Sequence, residues 1–423
     1  MGDKPLRPNE ERRITLTRAD AATWTYLDNN AATRMDSRVL DAMLPFFREQ
    51  FANPSSAHAP GVAAAEAVRT ARRQVQSLLG AARESEVVFT SGGSESNNTA
   101  ILSALETQTG RDEIVTSAVE HASVLAACAH LERSGRAKVH RIRVDPHGNL
   151  DLAAYRAALS SKTAIVSMQW ANNETGVVFP VELLASMAHE AGALFHCDAV
   201  QAAGKVPIQM QSSEIDMLSV SAHKMHGPKG VGALCVRGGV RLAPMIHGGR
   251  QERGRRAGTE NVPAIVGFGI AAELAAQSLP HQAPRIALLR DRLERDILSL
   301  IPGSVSIGGR TNRLPNTLNI LFEDVEADSI LMMLDRAHIA ASSGSACAVG
   351  SMEPSHVLRA MKVPFSHLRG SVRFSFSREN FACDVDRVLE VLPGIVNRLQ
   401  TQFPFVEGAC GRPVQDCHQR LNP

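Results

Sequence analysis

A lysine and a cysteine stand out for their settings. Lys224 lies in "SAHKMHGPKG" (221–230), after an apolar run and before a glycine-rich turn. A desolvated lysine there could form an imine with a carbonyl, although any single lysine also reads as an ordinary surface residue. Cys347 lies in "SSGSACAVGS" (342–351), bracketed by Gly344 and Gly350 with almost nothing to pack. Cysteine usually prefers a buried site and behaves there as a small hydrophobe. A thiol on a stretch built to move suits a group that has to travel.

Other candidates end apolar runs. Asp198 in "FHCDAVQ" reads as a helix N-cap or as a carboxylate facing a protonated pyridine nitrogen. "FTSGGSESNN" places Gly92-Gly93 between a strand and a helix opened by Ser94. That is an anion site in outline, because unpaired N–H groups and the helix dipole favour a phosphate, and it is also a plain tight turn. No Gly-Lys-Ser/Thr follows, so it is not a Walker A loop. His121 in "VEHASV" reads as a capping or core-edge residue, or as an imidazole stacked on a ring. Asn172 and Asn173 in "WANNETG" are turn residues or ligands.

Arg250, Arg253, Arg255 and Arg256 crowd "HGGRQERGRRAGTEN". The run reads as a solvated charge cluster, an RNA contact, or a loop that brings Thr259 to a phosphate. No aromatic residue interleaves, which counts against stacking on single strands. Arg373 in "VRFSFS" sits on a strand, where a carboxylate could satisfy it bidentately. A lysine, an aspartate, a phosphate cradle, a histidine and asparagines gathered at one sheet end make the inventory of a pyridoxal phosphate site.

The elements that must position these residues alternate. Strands such as "EVVFT", "EIVTS", "TAIVSMQW" and "MLSVSA" are separated by amphipathic helices such as "VAAAEAVRTARRQVQSLLG", closed by Gly80. This order predicts βαβ units, a mainly parallel sheet and ligands at the strands' carboxyl ends. Beyond about residue 263 a long helical stretch leads into a second, smaller α/β region. The 423 residues, 44% hydrophobic and 21% charged, suit a large domain plus a smaller one. A net charge of +2 gives no reason to expect nucleic acid or membrane partners. No apolar run of span length and no signal peptide are read, and seven widely spaced cysteines without a CxxC argue for a reducing compartment. Cys410, Cys417 and His418 offer too few ligands to make the tail a metal site.

The motifs "LDNNAATR", "NPSSAH", "TSGGSESNN", "ANNETG", "CDAVQAAGKVPI", "SAHKMHGPKGVGAL", "HGGRQERGRRAGTEN", "RLPNTLNI", "SSGSAC" and "EPSHVLRAM" follow one another over about residues 25–403. In this order they resemble the NifS-type cysteine desulfurases, pyridoxal phosphate enzymes of fold type I in aminotransferase class V. The wording is nearest the nitrogen-fixation branch. The resemblance implies a large domain (23–275) around a mainly parallel mixed sheet and a small α/β domain (276–403) with a mobile cysteine loop at 340–353. Residues 1–22 and 404–423 would be a loose extension and a tail, and the first ten or so residues of the large domain would pack on the small one.

Site roles follow from the resemblance alone. It makes Lys224 the Schiff-base lysine. Gly93, Ser94, Ser221 and His223 would bind the phosphate, Asp198 the pyridine nitrogen and Gln201 the ring hydroxyl. His121 would stack on the ring and serve as an acid/base. Asn173, also lining the cofactor, and Arg373 would hold the substrate carboxylate. Thr259 would reach the phosphate of a neighbouring protomer, implying a homodimer. Cys347 would accept sulfur from L-cysteine, which leaves as L-alanine, and pass it to a U-type iron–sulfur scaffold, for nitrogenase, in the cytoplasm. No stable metal site is implied, although Cys347 could transiently ligate a nascent cluster. "CAVGS" departs from the commoner Cys-Thr-Ser-Gly-Ser, so Ala348 and Val349 remove two hydroxyls beside the thiol. An aminotransferase, a selenocysteine lyase and a catalytically silent scaffold are the competing readings.

Overall fold

The computed structural model describes residues 24–309, 311–343 and 354–402. Cys347, Cys410, Cys417, His418, both terminal extensions and most of the 340–353 stretch lie outside the described residues.

The first elements among the described residues are β1 (Thr25–Tyr26), α1 (Ser37–Arg48) and α2 (Ala59–Leu79). The large sheet follows through β2 (Val87–Thr90), α3 (Gly93–Thr107), β3 (Glu113–Ser117), α4 (Ala122–Arg133), β4 (Lys138–Ile142) and α5 (Leu152–Ala158). It continues through β5 (Thr163–Gln169), α6 (Val181–Glu190), β6 (Leu194–Asp198), β7 (Met217–Ser221) and β8 (Gly232–Val236). Beyond α7 (Val262–Leu300) come β9 (Val305–Ile307), β10 (Thr317–Leu321), α8 (Ala327–Arg336) and β11 (Ile339–Ala340). The remainder is α9 (His356–Ala360), α10 (Phe365–Leu368), β12 (Ser371–Ser375) and α11 (Ala382–Gln402).

Strand order in the seven-stranded sheet is β2-β8-β7-β6-β5-β3-β4. Only β8 runs against its neighbours, so the other six strands end on one edge. Every residue of β2, β3, β5, β7 and β8 is buried. Helices cover both faces, which is why these strands read as near-continuous apolar runs rather than alternating ones. The expected α/β class with a mainly parallel sheet is therefore the observed one.

One face packs against α2, α6 and α7, and the other against α3 and α4. In α2 the buried Ala64, Val68, Ala71, Val75 and Leu78 recur every three or four residues, and Gly80 at φ 58° stops the helix. A second core joins the far half of α7 to α8, α11 and the antiparallel sheet β12-β10-β9, with Leu27 among its members. β1 pairs in parallel with β11, so the start of the chain is stitched to this second unit.

The long helical stretch read from sequence is one 39-residue helix, α7, containing Pro280 and Pro284. An interior proline removes a hydrogen bond and costs about 3 kcal/mol. Burial of Ala271, Ala272 and Ala275 before the prolines, and of Ile286, Leu293 and Ile297 after them, offsets that cost in two separate cores. By length and mean hydropathy (1.5 over 18 residues) α7 meets the composition of a membrane span, which corrects the expectation that no such stretch exists. In the fold its first half packs against α1 and α2.

Candidate active site

The common strand edge gathers most of the expected residues. Ser117 ends β3 just ahead of Glu120 and His121. Gln169 ends β5 ahead of Asn172 and Asn173. Asp198 ends β6, Ser221 ends β7 ahead of His223 and Lys224, and Thr90 ends β2 ahead of the Gly92-Gly93 turn. Strand ends are where backbone pairing stops and side chains can turn to a ligand.

The helix α3 starts at Gly93, one residue earlier than the Ser94 start expected from sequence. Its N-cap Gly92 sits at φ 153° and supplies no capping side chain. A residue with a Cβ strains at that φ. A Cβ on Gly232 would lie 2.7 Å from Gly92 Cα, so a glycine opposite lets the turn approach β8. The first N–H groups of α3 thus point out beside the exposed Ser94, with Ser221 near Gly92. Ser221 Oγ lies 3.0 Å from His223 Nδ1. Burial, then Lys224, Lys229 and Lys205, pulls His223 down to about 4, so it is a neutral imidazole.

Asp198 is buried, and its partners are the Asn97 amide at 2.7 Å and the Val200 N–H at 3.0 Å. Among the described residues no cationic side chain pairs with it. A buried carboxylate is stabilised by a positive charge, and a protonated pyridine ring supplies one. Two buried polar atoms nearby, Asn97 Oδ1 and Gln169 Nε2, have no hydrogen-bond partner among the described residues. Donors for a phosphate, an anion for a ring nitrogen and an amine for an aldehyde meet here, so the residues present fit pyridoxal phosphate.

Lys224 Nζ donates to Asn30 O at 2.6 Å and Ala31 O at 2.8 Å. Gln201 Nε2 donates to the same Asn30 carbonyl at 3.0 Å. The Asn30 Nδ2 donates to Asn173 O and Thr317 Oγ1. One asparagine from the chain's start therefore ties the lysine, the glutamine and the 172–176 turn together. Within that turn Asn172 is the structural residue, its Oδ1 accepting from Glu174 N and Thr175 N at 2.9 Å. Asn173 is half-buried beside it.

Arg373 is the largest fully buried side chain among the described residues. Its anionic partner is Asp28, at 2.7 Å, and its Nη1 donates to Asn173 O at 3.0 Å. Arg373 Nε has no partner among the described residues. Backbone bonds join Arg373 to Ser342, and Ser355 Oγ donates to the buried Glu174 at 2.6 Å. The described residues on either side of the Cys347 stretch are thus fastened beside Arg373 and Asn173.

His121 caps α4, its Nδ1 accepting from Ser123 N at 3.2 Å, so the capping reading holds. The neighbouring Glu120 is fully buried, and burial, reinforced by the Asp198 charge, raises it to about 8. Between its ordinary 4.5 and about 8 the native state therefore holds a proton that the unfolded chain releases. Its stabilising contribution is full below the ordinary value and is lost as pH rises, by up to about 1.4 kcal/mol per pH unit. Glu120→Gln is expected to flatten that slope, gaining on the parent between about pH 5 and about pH 8 in urea unfolding. Parallel stability–pH curves for the two proteins would contradict it.

Two residues depart from the group. Thr259 is exposed on the loop before α7, and among the described residues no hydrogen bond joins it to the rest of the site. The arginine loop around it is not uniformly solvated. Arg256 pairs with Glu95 at 2.9 Å and Arg255 donates to Ser85 O at 2.8 Å, so both fasten the loop to the body. Of the described cysteines, Cys128, Cys197 and Cys235 are buried, and burial pushes all three thiols up, Cys128 to about 12. They are poor nucleophiles. Cys383 is exposed at the start of α11.

Asp28, Asn30, Glu120, Glu174 and Lys205 were not singled out from sequence as site residues. Asp28 and Asn30 lie in the polar run of "LDNNAATR" and Lys205 follows Gly204 in "AAGKVPI", and neither pattern sets them apart as site residues.

The class V aminotransferase family matches residues 25–388. A cysteine desulfurase of Gluconacetobacter diazotrophicus is 62% identical over 384 residues, 91% of this chain and 96% of that protein. The cysteine desulfurase NifS of Azotobacter vinelandii is 51% identical over 398 residues, 94% of this chain and 98% of that one. A solved NifS-like protein superposes with a TM-score of 0.84 at 37% identity, covering 89% of this chain and all of its own.

Proposed function

Because the chain belongs to the class V aminotransferase family and is a pyridoxal phosphate-dependent cysteine desulfurase acting on L-cysteine, we propose that it stores the released sulfur on Cys347 and supplies it for iron–sulfur cluster assembly, serving nitrogenase. The observation that carries this reading is the pairing of Ser342, five residues before Cys347, with Arg373 in the middle of the site.

Lys224 would hold the cofactor, with the start of α3, Ser94, Ser221 and His223 at its phosphate, Asp198 at its ring nitrogen, Gln201 at its ring hydroxyl and His121 against its ring. When bound, the cofactor supplies an electron sink that makes the substrate Cα proton acidic and the carbon–sulfur bond labile. Arg373 and Asn173 orient the substrate carboxylate, and Asp28 holds the guanidinium for that task. The Lys224 amine takes the proton from Cα and returns it. The Cys347 thiolate attacks the substrate sulfur. A sulfur–sulfur bond forms, the Cβ–sulfur bond breaks, and the electron pair left on carbon takes up a proton to give L-alanine. His121 would move protons to and from sulfur.

The exposed Thr259 and its arginine loop suit a second copy of the chain, to whose cofactor phosphate Thr259 would donate. The acceptor of the persulfide sulfur is a U-type scaffold, and a reducing cytoplasm would suit a chain of seven widely spaced cysteines. The test is incubation with sulfur-labelled L-cysteine, then peptide mass spectrometry and addition of the scaffold. Expected are one extra sulfur on Cys347 and its appearance on the scaffold. Label that never resides on Cys347 would overturn the proposal, and label that the scaffold cannot remove would overturn its assembly role.

A further inference from the structure

A second amine, Lys205, lies in the site, and the reaction does not use it. It sits in the turn after β6. Its Nζ donates to Gln201 Oε1 at 2.8 Å and to Asn30 Oδ1 at 3.2 Å. Asn316 Nδ2 donates to the same Asn30 Oδ1 at 3.0 Å. Lys205 and Lys224 are thus tied to the two carbonyl oxygens of one buried asparagine, and both line a cavity of about 50 Å³.

An amide can face either way unless a neighbour decides. A protonated lysine has only donors, and a neutral one still has two. Both bonds drawn here use Lys205 as donor, and the Gln201 and Asn30 oxygens face it while the Asn30 and Asn173 backbone carbonyls take their nitrogens. The Gln201 nitrogen is thereby directed away from Lys205, where it meets Asn30 O at 3.0 Å and keeps a second N–H for a ligand. The charged and titratable groups facing this cluster are Lys224, Arg373 with Asp28, His223, His226 and Arg378. Burial, then Lys224 and Arg373, draws Lys205 well below the ordinary lysine value.

We propose that Lys205 is a positioning residue for the cofactor: its donors hold the oxygens of Gln201 and Asn30, whose nitrogens the Asn30 and Asn173 carbonyls take, so that Gln201 presents a hydrogen-bond donor to the cofactor ring hydroxyl. This rests on the reading that Gln201 meets that hydroxyl. Without the donor, the ring oxygen and the linkage beside it hold a proton more tightly.

The test is the pH titration of the visible absorption of the holoenzyme. Lys205→Met is expected to raise the midpoint by about one pH unit, a tenfold change in proton affinity. Lys205→Arg, which keeps the donors, restores the midpoint. Gln201→Ala gives the same rise alone, and adding Lys205→Met to it changes nothing more. An unmoved midpoint in Lys205→Met overturns the proposal, as does a full extra shift in the Gln201→Ala background, where charge alone would be acting. Should Lys205→Met fail to fold, an unmoved midpoint in Gln201→Ala overturns it equally. A parent protein with no visible band would instead overturn the cofactor assignment on which the proposal stands.

Discussion

Lys224→Ala is expected to cut alanine release from L-cysteine by at least about 10⁴-fold. General acid–base transfer by a positioned side chain contributes typically 10²–10⁴-fold, and loss of the covalent anchor adds to that. The fold should survive the change. Asn30 O, which accepts from Lys224 at 2.6 Å, also accepts from Gln201, so removing the amine does not strip that carbonyl of its partner. Thermal unfolding should therefore stay within a few degrees of the parent while activity collapses. Borohydride, which would fix the cofactor to the parent chain, should fix none to the variant. Alanine release within tenfold of the parent would remove Lys224 from the chemistry.

The second large effect is expected at Cys347. Cys347→Ser should lower alanine formation by about 10³-fold or more, because a hydroxyl is a far weaker nucleophile than a thiolate at neutral pH. Cofactor absorption, its pH titration and its perturbation by added L-cysteine should all persist, since Lys224, Asp198, Arg373 and the α3 turn are untouched. That split separates sulfur transfer from transamination, which needs no acceptor thiol. The buried cysteines cannot substitute, because burial holds Cys128, Cys197 and Cys235 as thiols. A Cys347→Ser variant that makes alanine at the parent's rate would sink the assignment of the acceptor.

These two experiments test opposite ends of what could be read before the fold was known. Lys224, Asp198, His121 and the Gly92-Gly93 turn were legible because each follows an apolar run, and where such a run stops is a local property of the chain. The alternation of runs and amphipathic helices then dictated a mainly parallel sheet, and with it a shared edge. His121 shows the limit of that logic. A capping or core-edge role was foreseen for it beside a stacking one, and nothing local could choose between them; the cap on Ser123 belongs to the fold.

The sequence by itself determined the order of elements, the edge on which they end and the types of group delivered there. Only the tertiary structure decided which groups hold one another. Arg373 meets Asp28 across 345 positions of chain, and Lys224 meets Asn30 across 194. Such pairs leave no periodic trace, because a polar residue in a loop has no face to repeat. They form where two separately packed cores bring β1, β12 and the strand edge together. There a buried donor or acceptor left without a partner costs about 1–3 kcal/mol, and that penalty selects the partners.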